Sequence, residues 1–185
     1  MLDGRPSAGP RSRDHPTVSR QLFIQALGVP PGAIDFNRHV NNVQFVQWLQ
    51  DVAMAHSTAC GWPLARYLST NGSWVVRSHF IEYLRPAVLG DEVLLATWIA
   101  GFERETSPRR TLVWRPRDRK LLARAETVWV FVDARSGRGQ AIPADFVSAF
   151  DTTADERLAL QALRAWQPLA GLHPRAGGEA GAQAP

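Results

Sequence analysis

The segment DFNRHVNNVQFVQW, which runs from Asp35 to Trp48, determines how the rest of this sequence is interpreted. From residue 42 onward, apolar side chains recur at helical spacing while glutamines and Asp51 fill another face, and the pattern continues to residue 59. It predicts one long amphipathic helix over residues 42–59 that ends near Gly61 and Pro63. The apolar positions of this helix are Phe45, Trp48, Leu49, Val52, Ala53 and Ala55.

Strand patterns lie on both sides of the helix. Residues 20–29 form a strand candidate that ends at Pro30-Pro31-Gly32, because prolines do not fit inside a paired ladder. Helix first and then a run of strands predicts an α+β domain with an antiparallel sheet. The further strands, rich in Val, Trp, Phe, Leu and Thr, are predicted at about 74–85, 92–102, 110–116 and 121–133.

Composition and turn residues predict a single domain between two tails. The chain has 185 residues, 45% of them hydrophobic and 21% charged, which is enough for one core. Residues 1–19 and 168–185 are rich in Gly and Pro and lack a hydrophobic period, so both are predicted as disordered tails. The domain then covers residues 20–167. Its last part, about 144–167, is predicted as a helical extension that is broken near Asp151-Thr152.

Several classes of protein are excluded by what the sequence lacks. No run approaches the roughly 18 consecutive apolar residues of a membrane span, and the first twenty residues have no apolar signal core. The single cysteine, Cys60, cannot form an internal disulfide or a cysteine-based zinc cluster, and the histidines are scattered. We therefore expect a cytoplasmic protein with no membrane segment, no metal and no other cofactor.

The positive charge of the chain favours anionic partners. The formal net charge is +4, and Lys120 is the only lysine. A basic cluster between residues 104 and 124 has two explanations: arginine forks for coenzyme A phosphates, or a solvated hairpin face, which is the commoner one. No nucleic-acid-binding motif accompanies it, so we expect no nucleic acid partner. The cluster comprises Arg104, Arg109, Arg110, Arg115, Arg117, Arg119, Lys120 and Arg124.

The segment that carries chemistry lies directly before the long helix. Asp35, Asn37 and His39 occupy alternate positions there, and a helix N-terminus presents unpaired N–H groups that suit a carbonyl oxygen becoming an anion. A carboxylate one turn upstream can then act on the carbon of that carbonyl. The competing interpretation is structural, since Asp and Asn are common in caps and turns.

Two blocks of the sequence resemble the hot-dog-fold acyl thioesterases, both the 4-hydroxybenzoyl-CoA thioesterase-like and the acyl-ACP thioesterase-like members. The Asp35–Trp48 segment is similar to their signature D-x-N-x-HVNN-x-x-Y/F-x-x-W. IEYLRPAVLGDEV, from Ile81 to Val93, is similar to their second block. The resemblance covers about residues 20–135. It implies a long helix wrapped by a curved antiparallel sheet, and a site at a dimer interface.

The resemblance also implies roles for five residues. Asp35 would be the catalytic carboxylate, as general base for water or as nucleophile. Asn37 and His39 would polarise or position the thioester and the water. The backbone N–H of Asn42 would be the oxyanion donor, and Glu82 matches an active-site glutamate of the plant members.

Strand periodicity gives a separate indication for Glu82. Period 2 puts Glu82 on one strand face with Val76, Phe80 and Leu84, where a carboxylate needs a partner or a raised pKa. The alternative is an edge-strand glutamate paired to Arg77 or Arg85.

Two positions depart from the family pattern. They are Ala33, where the family often has an acid, and Arg38, which replaces the usual glycine or glutamine.

The remaining polar and aromatic candidates are predicted to be structural. Asp51 and His56 fall on a polar helix face, His79 lies on the strand face opposite Glu82, and Cys60 is a small packed residue. The tryptophans are predicted in the core or an interface, with some lining an acyl tunnel. They are Trp48, Trp62, Trp74, Trp98, Trp114, Trp129 and Trp166.

The sequence therefore predicts hydrolysis of an acyl thioester, from acyl-CoA or an acyl carrier protein, to a carboxylic acid and a free thiol. The expected assembly is a homodimer or a dimer of dimers. Two alternatives stay open: a non-catalytic module that binds acyl thioesters, and a hot-dog hydratase or dehydratase.

Overall fold

The computed structural model describes residues 17–167, which form one antiparallel sheet of six strands with a long helix against it. The strand order is β1-β2-β4-β5-β6-β3, and every neighbouring pair is antiparallel. This confirms the α+β class. The elements are β1 Thr17–Val18, β2 Phe23–Gly28, α1 Asn42–Ala59, α2 Leu64–Ser69, β3 Gly72–Tyr83, β4 Glu92–Ile99, β5 Thr106–Arg115, β6 Lys120–Asp133, α3 Ala144–Val147 and α4 Arg157–Ala165.

The helix α1 occupies the residues that its amphipathic pattern predicted. It begins after Asn41, whose side-chain oxygen accepts from the N–H of Val43 at 2.7 Å and caps the first turn. It ends where Gly61 takes φ +84°, a conformation that glycine adopts readily. No helix among residues 17–167 is long and apolar enough to cross a membrane.

The two faces of the sheet carry two different cores, because alternate residues of each strand point to opposite sides. On the inner face, Val93, Leu95 and Val113 pack with the α1 residues Trp48 and Val52. On the outer face, the neighbouring positions of β4 and β5 pack against α4: Leu94, Ala96, Trp98 and Leu112 contact Ala159 and Leu163. The C-terminal helix, whose role the sequence left open, covers the outer face.

The helical extension is broken, as the sequence predicted, and is split into α3 and α4. Between them the backbone bonds to the sheet instead of to itself: Thr153 N–H donates to the Ile99 carbonyl at 3.2 Å. The Thr153 carbonyl accepts from Trp98 Nε1 at 3.0 Å. These tertiary hydrogen bonds replace the i to i−4 bonds that a continuous helix would make.

Other differences concern element ends. Thr17 and Val18 pair with β2, although residues 1–19 were predicted as a tail. The other parts of the predicted tails, residues 1–16 and 168–185, lie outside the described residues. The strand β5 begins at Thr106, four residues before its predicted start, because Pro108 obscured the strand pattern. The short helix α2 was not predicted.

Candidate active site

The loop before α1 folds back on itself and brings its two ends together. Ile34 and Val40 form an isolated antiparallel bridge, and the Asp35 N–H donates to the His39 carbonyl at 2.9 Å. Arg38 closes the turn with φ +62°, in the left-handed region that favours glycine. This explains why glycine suits the position, and the arginine here takes that conformation at a cost of about 1 kcal/mol.

The carboxylate of Asp35 is half-buried in this turn. Its Oδ1 accepts the backbone N–H of Asn37 at 2.8 Å, which fixes the side chain close to its own backbone. The side chains of Asn37 and His39 are exposed on the same loop. A carboxylate oriented by a backbone donor and open to solvent is able to take a proton from water.

The first turn of α1 adjoins this loop and has one free donor. Asn41 N–H donates to the Ala33 carbonyl at 2.9 Å, and Val43 N–H is capped by the Asn41 side chain. Within residues 17–167, the N–H of Asn42 donates to no acceptor. It is therefore available to an oxygen atom of a ligand, at the positive end of the helix dipole.

The end of β3 reaches the start of α1 through its inner face. Tyr83 Oη lies 3.5 Å from the Asn42 carbonyl oxygen, and the Tyr83 ring packs edge-on against Phe45 with centroids 5.2 Å apart. The side chain that the strand brings to the helix start is thus Tyr83.

Glu82 faces the other way, so this chain does not bring it to the Asp35 loop. Its register partner on β6 is Arg124, on the α4 side of the sheet, and Arg124 Nε lies 3.5 Å from Glu82 Oε2. The expectation of a partner is met by Arg124 and not by Arg77 or Arg85. A register shift between Val76 and Ser78 also changes the strand phase, so the predicted grouping of Val76 with Glu82 is wrong.

A second feature, which the sequence did not indicate, is a cavity of about 230 Å³ beside the second half of α1. Arg109 of β5 lines it and is 5% exposed, so its prediction as part of a solvated hairpin face is wrong. His56 of α1, predicted on a polar helix face, is fully buried with Nδ1 3.1 Å from Arg109 Nη1. The helical period of 3.6 residues places His56 about one turn from the apolar Val52, and this spacing was the sequence signal for the burial of His56.

The family of the chain follows from a comparison with known sequence families. A family model, described as the acyl-ACP thioesterase N-terminal domain, matches residues 20–150. This chain belongs to the acyl-ACP thioesterase family. No curated protein sequence matches it.

Solved structures show that this acyl-ACP thioesterase family member has the hot-dog fold. The 1,4-dihydroxy-2-naphthoyl-CoA thioesterase of Synechocystis is 19% identical, with a TM-score of 0.64 over 69% of this chain and 94% of that one. A Staphylococcus aureus protein in complex with CoA is 17% identical, with a TM-score of 0.65 over 88% and 96%. The 12:0-ACP thioesterase of Umbellularia californica is 19% identical, with a TM-score of 0.64 over 82% and 57%.

The other candidates of this family member have structural partners. Asp51 is exposed and accepts from Gln47 Nε2 at 2.8 Å. His79 Nδ1 lies 2.9 Å from Thr127 Oγ1. Cys60 packs at the edge of a hydrophobic cluster, and burial raises the pKa of its thiol. Among residues 17–167, no three His, Cys, Asp or Glu side chains lie close enough to hold a metal ion.

Proposed function

We propose that this family member hydrolyses an acyl thioester, with coenzyme A as the carrier, to a carboxylic acid and a free thiol. The observation that carries the proposal is that one loop presents two groups: the oriented, half-buried carboxylate of Asp35 and the free N–H of Asn42 at the start of α1. Membership of a thioesterase family supports the reaction class.

In the proposed reaction, Asp35 accepts a proton from water while the water oxygen attacks the thioester carbonyl carbon. The carbonyl oxygen becomes an anion that accepts a hydrogen bond from Asn42 N–H. The tetrahedral intermediate then collapses, the C–S bond breaks, and the thiolate leaves and takes up the proton.

The same geometry serves a second version of the reaction in which Asp35 is the nucleophile. Its carboxylate oxygen attacks the carbonyl carbon, the thiolate leaves, and water hydrolyses the resulting anhydride. Asn37 and His39, exposed on the same turn, would orient the thioester and the water in either version.

We also infer that the protein forms a homodimer through β3. This 12-residue strand lies at the sheet edge, where its unpaired backbone groups are a template for pairing with another strand. Its exposed apolar side chains, at 36% exposure or more, are Val75, Val76, Phe80 and Tyr83. A two-fold axis would pair the strand with its copy and bury them. Light scattering at micromolar concentration that gives a monomer mass would contradict this inference.

Coenzyme A is placed first because it carries three phosphate groups, more than the prosthetic arm of an acyl carrier protein. The described residues have exposed arginines at and near the loop, and arginine pairs well with phosphate. The printed descriptions of two similar structures name CoA, and that of a third names ACP. The two carriers are therefore tested side by side.

The test measures free thiol released from acyl-CoAs and acyl carrier proteins with short, long and aromatic acyl groups. Wild type should release thiol, and Asp35→Asn should lose about a hundredfold or more in kcat, the usual effect of removing a general base. Asp151→Asn is the matched control, because Asp151 is exposed and pairs only loosely with Arg20 at 3.5 Å.

Three outcomes separate the candidate functions. Loss of activity in Asp35→Asn with an unchanged melting temperature supports the proposal. Equal activity of Asp35→Asn and wild type contradicts it. If wild type binds acyl-CoA without releasing thiol, the protein is a binding module, the alternative that the substitutions at Ala33 and Arg38 suggest.

A further inference from the structure

The cavity beside α1 has a shape suited to part of a substrate. Its volume of about 230 Å³ exceeds the roughly 150 Å³ of an engineered cavity that holds benzene, so a ring with a substituent fits. Its lining is mostly apolar, and Met54, Leu64 and Leu68 are exposed side chains at its surface end. A ligand role for this cavity deepens the proposed function and rests on it for the identity of the reaction.

Several polar atoms of this cavity are buried hydrogen-bond donors. Two of its side chains, Trp62 and Trp129, have a buried indole N–H with no hydrogen-bond partner among residues 17–167, while the hydroxyl of Tyr67 interacts with Ser57 and with the indole of Trp74. Burial raises the pKa of the Tyr67 hydroxyl, so it stays protonated and able to donate. Most buried polar groups in proteins are paired, so the two unpaired indole N–H groups favour a ligand that carries a hydrogen-bond acceptor.

A buried positive charge lies in the same cavity wall. Arg109 is 5% exposed, and no acidic side chain of residues 17–167 lies within ion-pairing distance of its guanidinium. Burial lowers its pKa only to about 10, so it remains charged at neutral pH. A buried charge without a counter-ion is costly, and an anionic ligand would offset that cost.

His56 holds this arginine in place without neutralising it. Its Nε2 lies 3.1 Å from the Ser19 carbonyl and so carries the proton, which leaves Nδ1 to accept from Arg109 Nη1 at 3.1 Å. Thr97 Oγ1 accepts a second, longer bond from the same nitrogen at 3.5 Å. Both bonds use Nη1, so the rest of the guanidinium fork is available to a ligand.

We infer that this cavity binds the far end of the acyl group and that this end carries an anionic oxygen substituent, a carboxylate in the first place. A carboxylate supplies acceptors for the arginine fork, for the indole N–H groups and for the tyrosine hydroxyl. The substrate class is therefore an acyl thioester with a second carboxylate, and the aromatic walls favour a ring as the spacer.

An acyl group can join the proposed reaction centre to the cavity in two ways. Within one chain, Asn42 at the reaction centre and Ala53 at the cavity are eleven residues apart on α1. That corresponds to about 16 Å, so this route needs a long acyl chain. In the proposed dimer, a two-fold axis through β3 sets the cavity end of one strand beside the Tyr83 end of its copy. A short aromatic acyl group then suffices.

The test compares thiol release from matched acyl-CoA pairs that differ only in the terminal group: 4-methylbenzoyl against 4-carboxybenzoyl, hexanoyl against adipoyl, and decanoyl against sebacoyl. Wild type should prefer the carboxylate member of at least one pair by about tenfold or more in kcat/KM. Arg109→Met, similar in length and neutral, should abolish that preference. Arg110→Met is the control, because Arg110 lies on the opposite sheet face and pairs with Glu126.

A binding measurement separates this inference from the proposed reaction. Benzoate, titrated against benzyl alcohol as the neutral probe, should shift the indole N–H resonances of Trp62, Trp74 and Trp129 in wild type but not in Arg109→Met. Phe substitution at each tryptophan assigns the signals. If Arg109→Met does not fold, Tyr67→Phe serves instead, with a smaller expected loss.

The results distinguish the anion site in the cavity from the proposed thioester hydrolysis. Thiol release without any carboxylate preference and without saturable benzoate shifts would overturn the inference while the proposed function stands. Saturable shifts without thiol release would support the cavity site and contradict the hydrolase. A carboxylate preference that persists in Arg109→Met would also overturn the assignment.

Discussion

The loop before α1 and the cavity beside its second half are built in opposite ways. The loop uses consecutive residues, from Asp35 to Asn42, and most of its hydrogen bonds span at most eight positions. The exceptions are the Val40 N–H, which donates to the Ala87 carbonyl, and the contact of Tyr83 Oη with the Asn42 carbonyl. The cavity takes its side chains from α1, α2, β3, β4, β5, β6 and α3. The first arrangement is visible in the sequence, whereas the second exists only once the chain has folded.

The electrostatics of the two regions also differ. The loop offers a carboxylate and a backbone N–H close to solvent, where charges are stabilised by water. The cavity holds a guanidinium away from water and without an acid. The two proposals therefore place bond cleavage at the loop and recognition of the acyl group in the cavity, and the following variants separate these roles.

The largest effect is expected from Asn42→Pro. Proline lacks the N–H proposed to bind the oxyanion, yet it is favoured at the first position of a helix. Asn41 already has φ −63° and ψ 140°, the extended conformation that a following proline requires. We expect kcat to fall about a hundredfold or more with little change in melting temperature.

Asn42→Ala is the matched control because it keeps the N–H and removes only the side chain. Its thiol release should stay near that of wild type. Equal activity of the Pro and Ala variants would exclude Asn42 N–H as the oxyanion donor.

A medium effect is expected on the pH dependence of stability, through His56. Burial beside Arg109 lowers its pKa from 6.5 to about 3. Below pH 6.5 the unfolded chain binds a proton at this residue and the folded protein does not. The stability that His56 contributes is therefore complete above pH 6.5 and is lost as pH falls toward 3, by up to about 1.4 kcal/mol per pH unit.

Urea unfolding at pH 7 and pH 5 measures this effect. Between these two values, wild type should lose about 2 kcal/mol of unfolding free energy that His56→Gln does not lose. His39→Gln, at an exposed position, should keep the wild-type dependence. Identical pH slopes for wild type and His56→Gln would show that His56 is not held neutral in the folded protein.

The smallest effect is expected at Glu82. The family resemblance implies an active-site role, but the structure directs this side chain to the α4 face, where it is about half exposed beside Arg124. We expect Glu82→Gln to change kcat/KM by less than about threefold, since an exposed ion pair contributes little. A loss comparable with that of Asp35→Asn would show that Glu82 takes part in the reaction, and bond cleavage would then not depend on the loop before α1 alone.

Most of the fold was predictable from the sequence because its signals are local. The α1 pattern gave both helix ends, since the apolar period and the turn residues after Ala59 act within one turn. Strand positions followed from Val, Trp and Thr content, with errors of up to four residues at the ends. The phase of β3 did not follow, because the irregularity between Val76 and Ser78 leaves no mark in the hydrophobic pattern.

The sequence by itself determined the α+β class, the long helix and the loop that carries Asp35, because each depends on neighbours in the chain. Only the tertiary structure decided which face Glu82 occupies and that Arg109 and His56, 53 positions apart, meet inside the protein. An arginine in a basic stretch looks the same whether it is solvated or buried. Whether the arginine is solvated or buried is decided by strand register and by helices from distant parts of the chain. Tertiary structure therefore decides that the positive charge of Arg109 lines the cavity.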